Sequence, residues 1–204
     1  MITLFDTETT DKYNFDRPAT DPCQPHLVQL AAIHTNLAGN ILGQLNFIVE
    51  PDGWKVTPAS TKIHRISHRM AVEHGMPLRV VLAAFNHFCR HSDCIVAHNI
   101  SFDHSVMLAN YTRHNIPHRM DGLLQVCTMK IATPIVQLPK QWKDPNDPYK
   151  WPTLNETNRF FFNEDISGAH NAMVDTIALA NVFFELLKRK HIKMNQIRHR
   201  SKPQ

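Results

Sequence analysis

Met1-Ile2-Thr3-Leu4-Phe5-Asp6-Thr7-Glu8-Thr9-Thr10 opens the chain, and its reading decides the fold. Residues 2–6 are a short run with β-forming character, which predicts a buried strand ending at Asp6. Asp6 and Glu8 stand two apart, so on a strand their side chains share one face. A lone carboxylate against an apolar core is expensive unless it is paired or bound to a cation. Two on one face can hold a divalent cation, although an Asp-x-Glu pair by itself is common by chance.

Outward from this strand, residues 26–34 (HLVQLAAIH) and 41–49 (ILGQLNFIV) are β-type runs joined by Asn36-Leu37-Ala38-Gly39-Asn40. Asn and Gly there predict a hairpin, so three sequential strands open the chain as an antiparallel meander. Residues 59–74 hold one short helix and a turn. A helix is expected over 78–91, with Val81, Ala84, Phe85 and Phe88 at helical spacing. Strands follow at 94–97 and 123–127, with a helix from about Asp103 to Arg113 between them. Five prolines in 134–152 predict a long loop. Helices are expected at Leu154–Phe161 and from about Ala172 to Lys190, the latter with Ile177, Ala180, Phe183, Phe184 and Leu187 as its core face. Strand–helix–strand alternation after a meander indicates an α/β domain with a mixed sheet.

Two further blocks carry chemistry. One is Val96-Ala97-His98-Asn99-Ile100-Ser101-Phe102-Asp103, and the other is Gly168-Ala169-His170-Asn171-Ala172-Met173-Val174-Asp175. Asp103 has a plain structural reading as an acid at a helix start. His170 and Asp175 diverge by about 140° on one continuous helix. They converge only if His170 lies in the loop before the helix and Asp175 on its first turns; Gly168 supplies irregular backbone there. In isolation His170 is equally well a satisfied loop histidine. Together, four acids and a histidine are the parts of a two-metal phosphodiester-cleaving site.

Bulk composition sets limits. At 204 residues and 43% hydrophobic content the chain fits one domain with an ample core. No run of 18 apolar residues occurs, so no membrane span is expected. The N-terminus reads as a strand and not as a signal peptide, so a cytoplasmic location is expected. Cys23, Cys89, Cys94 and Cys127 show no disulfide framework. His87, Cys89, His91, Cys94 and His98 are close enough to suggest zinc, but a helix with exposed polar residues explains them better. Residues 188–202 carry seven of the 22 Lys and Arg and no acid, leaving 15 bases against 18 acids elsewhere. This basic tail, 191–204, fits nucleic-acid contact and equally a solvated helix end.

The three blocks, in this order, resemble the DEDDh (DnaQ-like) 3′→5′ exonuclease family. That family includes the proofreading epsilon subunit of bacterial DNA polymerase III, ribonuclease T and oligoribonuclease. Its first block is Asp-Thr-Glu-Thr-Thr-Gly, its second His-Asn-x-x-Phe-Asp and its third His-x-Ala-x-x-Asp. Ile63-His64-Arg65-Ile66-Ser67 is similar to its Ile-His-Gly-Ile-Thr segment, and Cys127-Thr128 stands where Asp-Thr is common. Asp11 and Arg65 replace glycines, and Cys127 replaces an aspartate. The resemblance spans residues 1–190, nearly the whole chain.

The resemblance implies an RNase H-like fold with a five-stranded mixed sheet flanked by helices. It implies that Asp6, Glu8 and Asp175 hold one Mg²⁺ or Mn²⁺, and that Asp6 bridges to a second supported by Asp103. His170 is then the general base. Thr7, Thr9, His64, Ile66, His98, Asn99 and Phe102 are candidates for contacts to the terminal nucleotide. The expected reaction releases nucleoside 5′-monophosphates from a single-stranded or frayed 3′ end. DNA is favoured over RNA by the opening block and the Ile-His segment, and a DNA polymerase is a possible partner. The alternatives are an RNA exonuclease of the ribonuclease T or oligoribonuclease type and a non-catalytic, nucleic-acid-binding polymerase accessory domain.

Overall fold

A computed structural model describes residues 1–140 and 148–193. The middle of the Pro-rich 134–152 stretch and most of the basic tail therefore lie outside the described residues. The strands are β1 (Ile2–Thr9), β2 (Leu27–Thr35), β3 (Ile41–Ile48), β4 (Cys94–Ala97) and β5 (Leu124–Cys127). They form one sheet in the order β3-β2-β1-β4-β5. β1 and β3 pair antiparallel to β2, whereas β4 runs parallel to both β1 and β5. The expected meander and mixed sheet are both present. The β2–β3 turn is closed by Asn36, whose Oδ1 accepts from the N–H groups of Ala38 and Asn40. Gly39 takes the left-handed backbone there, at φ 86°.

Helices α1 (Pro58–His64), α2 (His68–His74), α3 (Leu78–Arg90), α4 (Ile100–Arg113), α5 (Thr128–Val136), α6 (Leu154–Phe162) and α7 (Ala172–Lys188) flank the sheet. Alternation along β1 divides the core. Phe5 points into a cluster with Val81, Phe85, Val106 and Tyr111 from α3 and α4. Ile2 and Leu4 point the other way, into a cluster with Leu179, Val182, Phe183 and Leu186 of α7. Asp6 and Glu8 share the Ile2 and Leu4 face, and Thr7 shares the Phe5 face.

Three local expectations need correction. The single helix at 59–74 is two helices, because Arg65 ends α1 in the left-handed region at φ 63° and Ser67 caps α2. Residues 128–136 are helical although Pro134 lies inside the helix and cannot donate to the Lys130 carbonyl; the helix runs past it and closes with Gln137 N–H donating to Thr133 C=O. The face of α7 is turned slightly from the expected one. Ile177 is 47% exposed, and Thr176, Leu179, Phe183 and Leu186 are buried. Among the described residues no helix is long and apolar enough to cross a membrane.

The histidine–cysteine stretch at 87–98 is not a ligand cluster. Cys89 packs in the α3/α4 cluster and Cys94 in the α7 cluster, on opposite sides of the sheet. Burial pushes both thiols up to about 12. All four cysteines are free.

Candidate active site

β1 pairs with β4 only over Ile2–Leu4, so Asp6, Thr7 and Glu8 extend beyond that ladder. They lie at the carboxyl end of the parallel strands, where α/β sheets usually bind ligands. Asp6, Glu8 and Asp175 each offer a carboxylate oxygen, and these oxygens lie within 4.8 Å of one another.

Asp175 arrives there because the start of α7 is held firmly. Asn171 caps the helix by accepting from the N–H groups of Met173 and Val174. Gln29, paired with Glu8 across the β1–β2 ladder, accepts from the Ala172 N–H at 3.1 Å. His170 sits in the loop just before, at φ 66°, and its N–H donates to Asp175 Oδ2 at 2.8 Å. The loop-then-helix arrangement required by the five-residue spacing is therefore the one observed. The imidazole of His170 is exposed at the mouth of the site.

Asp103 approaches from the other face of the sheet. It stands in the first turn of α4 and is 3% exposed. Its Oδ1 accepts from the Thr7 N–H at 3.1 Å and from the Thr7 hydroxyl at 2.7 Å. The Thr7 N–H is free for this because β4 stops short of it. Asn99 turns the chain from β4 into α4 with a left-handed backbone at φ 73°, which asparagine tolerates well.

Four carboxylates in so small a volume resist ionisation. Burial raises Asp6 well above its ordinary range, and Asp103, Glu8 and Asp175 add to the rise. Glu8 is pushed up to about 8 by burial and then by Asp175 and Asp103. Burial lifts Asp103 to about 7 against the lowering effect of the Thr7 bonds. Asp175 is also raised by burial. Such a cluster charges fully only with cations present, and its hard oxygen donors suit Mg²⁺ or Mn²⁺.

The remaining candidates divide around this centre. A recess beside Glu8 is lined by Thr7, Thr9, Ser60, Ile63, His64 and Phe102. His64 is buried; its Nδ1 accepts from the Ile66 N–H, and its Nε2 has no hydrogen-bond partner. Ile66 is buried with Val28, Val56 and Ala71. The exposed isoleucine of that block is Ile63, at 56%. The Thr9 hydroxyl donates to Asp11 C=O, and Asn99 Oδ1 accepts from the Ser101 hydroxyl. A second recess, on the Asp175 side, is lined by Asp6, His98, Thr153, Asn155, His170 and Asp175. His98 bonds with both ring nitrogens, Nδ1 to Thr128 Oγ1 at 3.0 Å and Nε2 to Pro152 C=O at 2.9 Å.

Sequence reasoning did not single out Gln29, Ile63, Thr153 or Asn155. The available signals were the Ile63–Ser67 block, in which Ile66 was named instead of Ile63, and Pro152-Thr153-Leu154-Asn155, which is similar to the segment that opens the family's penultimate helix. Gln29 acts through partners more than ten residues distant, and Thr153 and Asn155 through a loop whose path the sequence does not give.

Residues 3–183 match the family model described as Exonuclease, of RNase T type. The chain is 29% identical over 185 residues to the PolC-type DNA polymerase III of Streptococcus pyogenes serotype M2, covering 91% of this chain and 11% of that one. A 36% identical match to the serotype M18 protein covers 56% of this chain and 7% of that one. The chain thus spans about a tenth of the length of these curated relatives. Among solved structures, E. coli exonuclease I in complex with a dT13 oligonucleotide is similar with a TM-score of 0.71 at 19% identity, covering 93% of this chain and 41% of that one. Exonuclease X in complex with 5′ overhanging duplex DNA has a TM-score of 0.64 at 22% identity and covers 97% of each chain. These likenesses establish the RNase H-like fold. With the family model matched over most of its length, the chain belongs to the RNase T exonuclease family.

Proposed function

We propose that this chain is a metal-dependent 3′→5′ exonuclease that removes nucleoside 5′-monophosphates from single-stranded or frayed 3′ ends of DNA. The observation that carries this reading is the convergence of Asp6, Glu8 and Asp175 within 4.8 Å, beside His170 and opposite the buried Asp103. The complexes of exonuclease I and exonuclease X with DNA favour DNA over RNA as substrate. The likeness to PolC-type polymerases favours a polymerase that hands over frayed ends as the working partner. Four free cysteines, Cys23 exposed among them, favour a reducing compartment, the cytoplasm.

Asp6, Glu8 and Asp175 would hold one divalent ion, and Asp6 with Asp103 a second. When bound, the ions supply positive charge that acidifies the attacking water and stabilises the leaving 3′ oxygen. His170, exposed at the mouth, takes the proton from that water at a ring nitrogen as general base. Its backbone N–H, bonded to Asp175, ties the base to the carboxylate cluster. Thr7 orients Asp103 through its two bonds. The recess beside Glu8 receives the terminal nucleoside, with the unpaired Nε2 of His64 as a hydrogen-bond donor and Ile63 and Phe102 as apolar walls.

The test is a time course on matched 5′-labelled single-stranded DNA and RNA with Mg²⁺ or Mn²⁺, beside EDTA and Asp175→Ala controls. A ladder shortening from the 3′ end, faster on DNA and abolished by both controls, is the expected result. Intact oligonucleotides under every metal condition would move the assignment to a binding role.

A further inference from the structure

Trp151 is 59% exposed. Tryptophan is large and apolar, and an open indole offers a wide, flat face for stacking. Among the described residues its indole N–H has no hydrogen-bond partner, and its ring packs against no other aromatic ring.

The backbone that carries it is fastened on both sides. On one side, Lys150 N–H donates to Leu138 C=O at 2.9 Å and Lys140 N–H to Pro148 C=O at 3.2 Å. With the Pro139–Tyr149 bridge, these bonds make a short antiparallel ribbon. The Lys150 ammonium is paired with Glu156 of α6. On the other side, the buried Pro152 gives its carbonyl to His98 Nε2 at 2.9 Å. Thr153 then begins α6 with a reciprocal cap against Glu156.

Thr153 lines the recess that holds Asp6, His170 and Asp175. Two residues of chain place the Trp151 Cα within about 7 Å of the Thr153 Cα. The fastened backbone of Trp151 thus adjoins Thr153 in the wall of the candidate active site, and its indole is open to solvent.

From this geometry we infer that Trp151 is a stacking platform for a base of the single strand upstream of the terminal nucleotide. The inference rests on the exonuclease reading and adds a second substrate subsite to it. The occupant is a nucleobase, because every base presents a π-face and stacking needs no particular sequence. An exposed aromatic side chain two residues from the Thr153 wall of that recess fits that occupant. The fixed backbone means that little ordering is needed when the strand arrives. The platform lets the enzyme hold any strand while the terminal nucleotide is exchanged.

Trp151→Ala and Trp151→Phe are compared with wild type on two substrates: dT12 and thymidine 5′-(p-nitrophenyl phosphate), which fills only the terminal subsite. The ratio of kcat/KM on dT12 to that on the ester is expected to fall about tenfold in the alanine variant. The fall should lie in KM, and phenylalanine should recover most of it. An unchanged ratio, or an equal loss on both substrates, overturns the platform. Binding of fluorescein-labelled dT12 in EDTA, followed by anisotropy, separates this inference from the exonuclease reading. If wild type cleaves neither substrate, the exonuclease reading fails. A weaker dT12 affinity for Trp151→Ala then still supports the platform, and an equal affinity removes it.

Discussion

Asp103 and His170 serve one candidate site from opposite sides of the sheet, and they are held in opposite ways. Asp103 is nearly inaccessible, stands in a helix and takes two bonds from Thr7 of the central strand. His170 is exposed, stands in a loop with a left-handed backbone, and among the described residues is hydrogen-bonded through its own N–H to Asp175. The inner half of the site is thus part of the core, and the outer half is mounted on it. Changes to the inner half should cost stability together with activity, whereas changes to the outer half should cost activity alone.

Replacement of His170 by Ala should show the largest effect. Loss of a general base lowers kcat by about 10²–10⁴-fold, and an exposed residue contributes little to packing. Steady-state rates together with thermal melts check this, and a melting point several degrees lower would contradict the division. Next, Thr7→Val keeps the shape but removes a hydroxyl bond to a buried carboxylate. A bond to a charged group is worth about 1.5–3 kcal/mol, so urea unfolding should show a loss of that order alongside reduced activity. Full stability with reduced activity would show that Asp103 is not held through the core.

The third test concerns protons. Glu8 near 8 and Asp103 near 7 retain protons that the unfolded chain has already released at ordinary carboxylate pKa values of about 4. Raising the pH therefore draws the metal-free protein toward the unfolded state. In EDTA the Tm should fall by on the order of 5 °C between pH 6.5 and 8.5. Saturating Mg²⁺ or Mn²⁺ should remove most of that fall. The window lies above histidine titration, because half-buried neutral rings such as His26, lowered to about 4 by burial and then by Arg113 and His114, oppose the trend below it. A flat Tm in EDTA would show that the carboxylates are not strained without metal.

The smallest effect is expected at Arg65, outside the carboxylate cluster. It closes α1 at φ 63°, a conformation that costs a non-glycine residue about 1–2 kcal/mol. Arg65→Gly should raise stability by about 0.5–1 kcal/mol once the added freedom of the unfolded chain is counted. A lower Tm would mean that the arginine side chain contributes more than the backbone strain it causes.

The legible part of the fold was the part built from local rules. The two-residue spacing of Asp6 and Glu8 set them on one face of the first strand, although that strand, expected to end at Asp6, runs on to Thr9; Asn36 and Gly39 marked the hairpin, and the spacing of His170 and Asp175 required a loop before a helix. The misread parts have physical causes. Pro134 suggested a loop, yet α5 runs through it to Val136, one missing backbone bond being too little to end the helix there. On α7 the apolar residues nearly encircle the helix, so periodicity alone did not choose the face, and Ile177 was placed inward although it is exposed.

By itself the sequence determined the four acids and the histidine, their order along the chain, the strand that carries Asp6 and Glu8, and the loop and helix that carry His170 and Asp175, because side-chain period follows from local backbone geometry. Only the tertiary structure decided that Asp103 crosses to the far face and bonds Thr7, that Gln29 fixes the start of α7, and that both nitrogens of His98 are engaged by Thr128 and Pro152. Those partners are 30 to 143 residues apart in the chain. Only the close packing of sheet and helices brings them within hydrogen-bonding distance, and no local pattern records that.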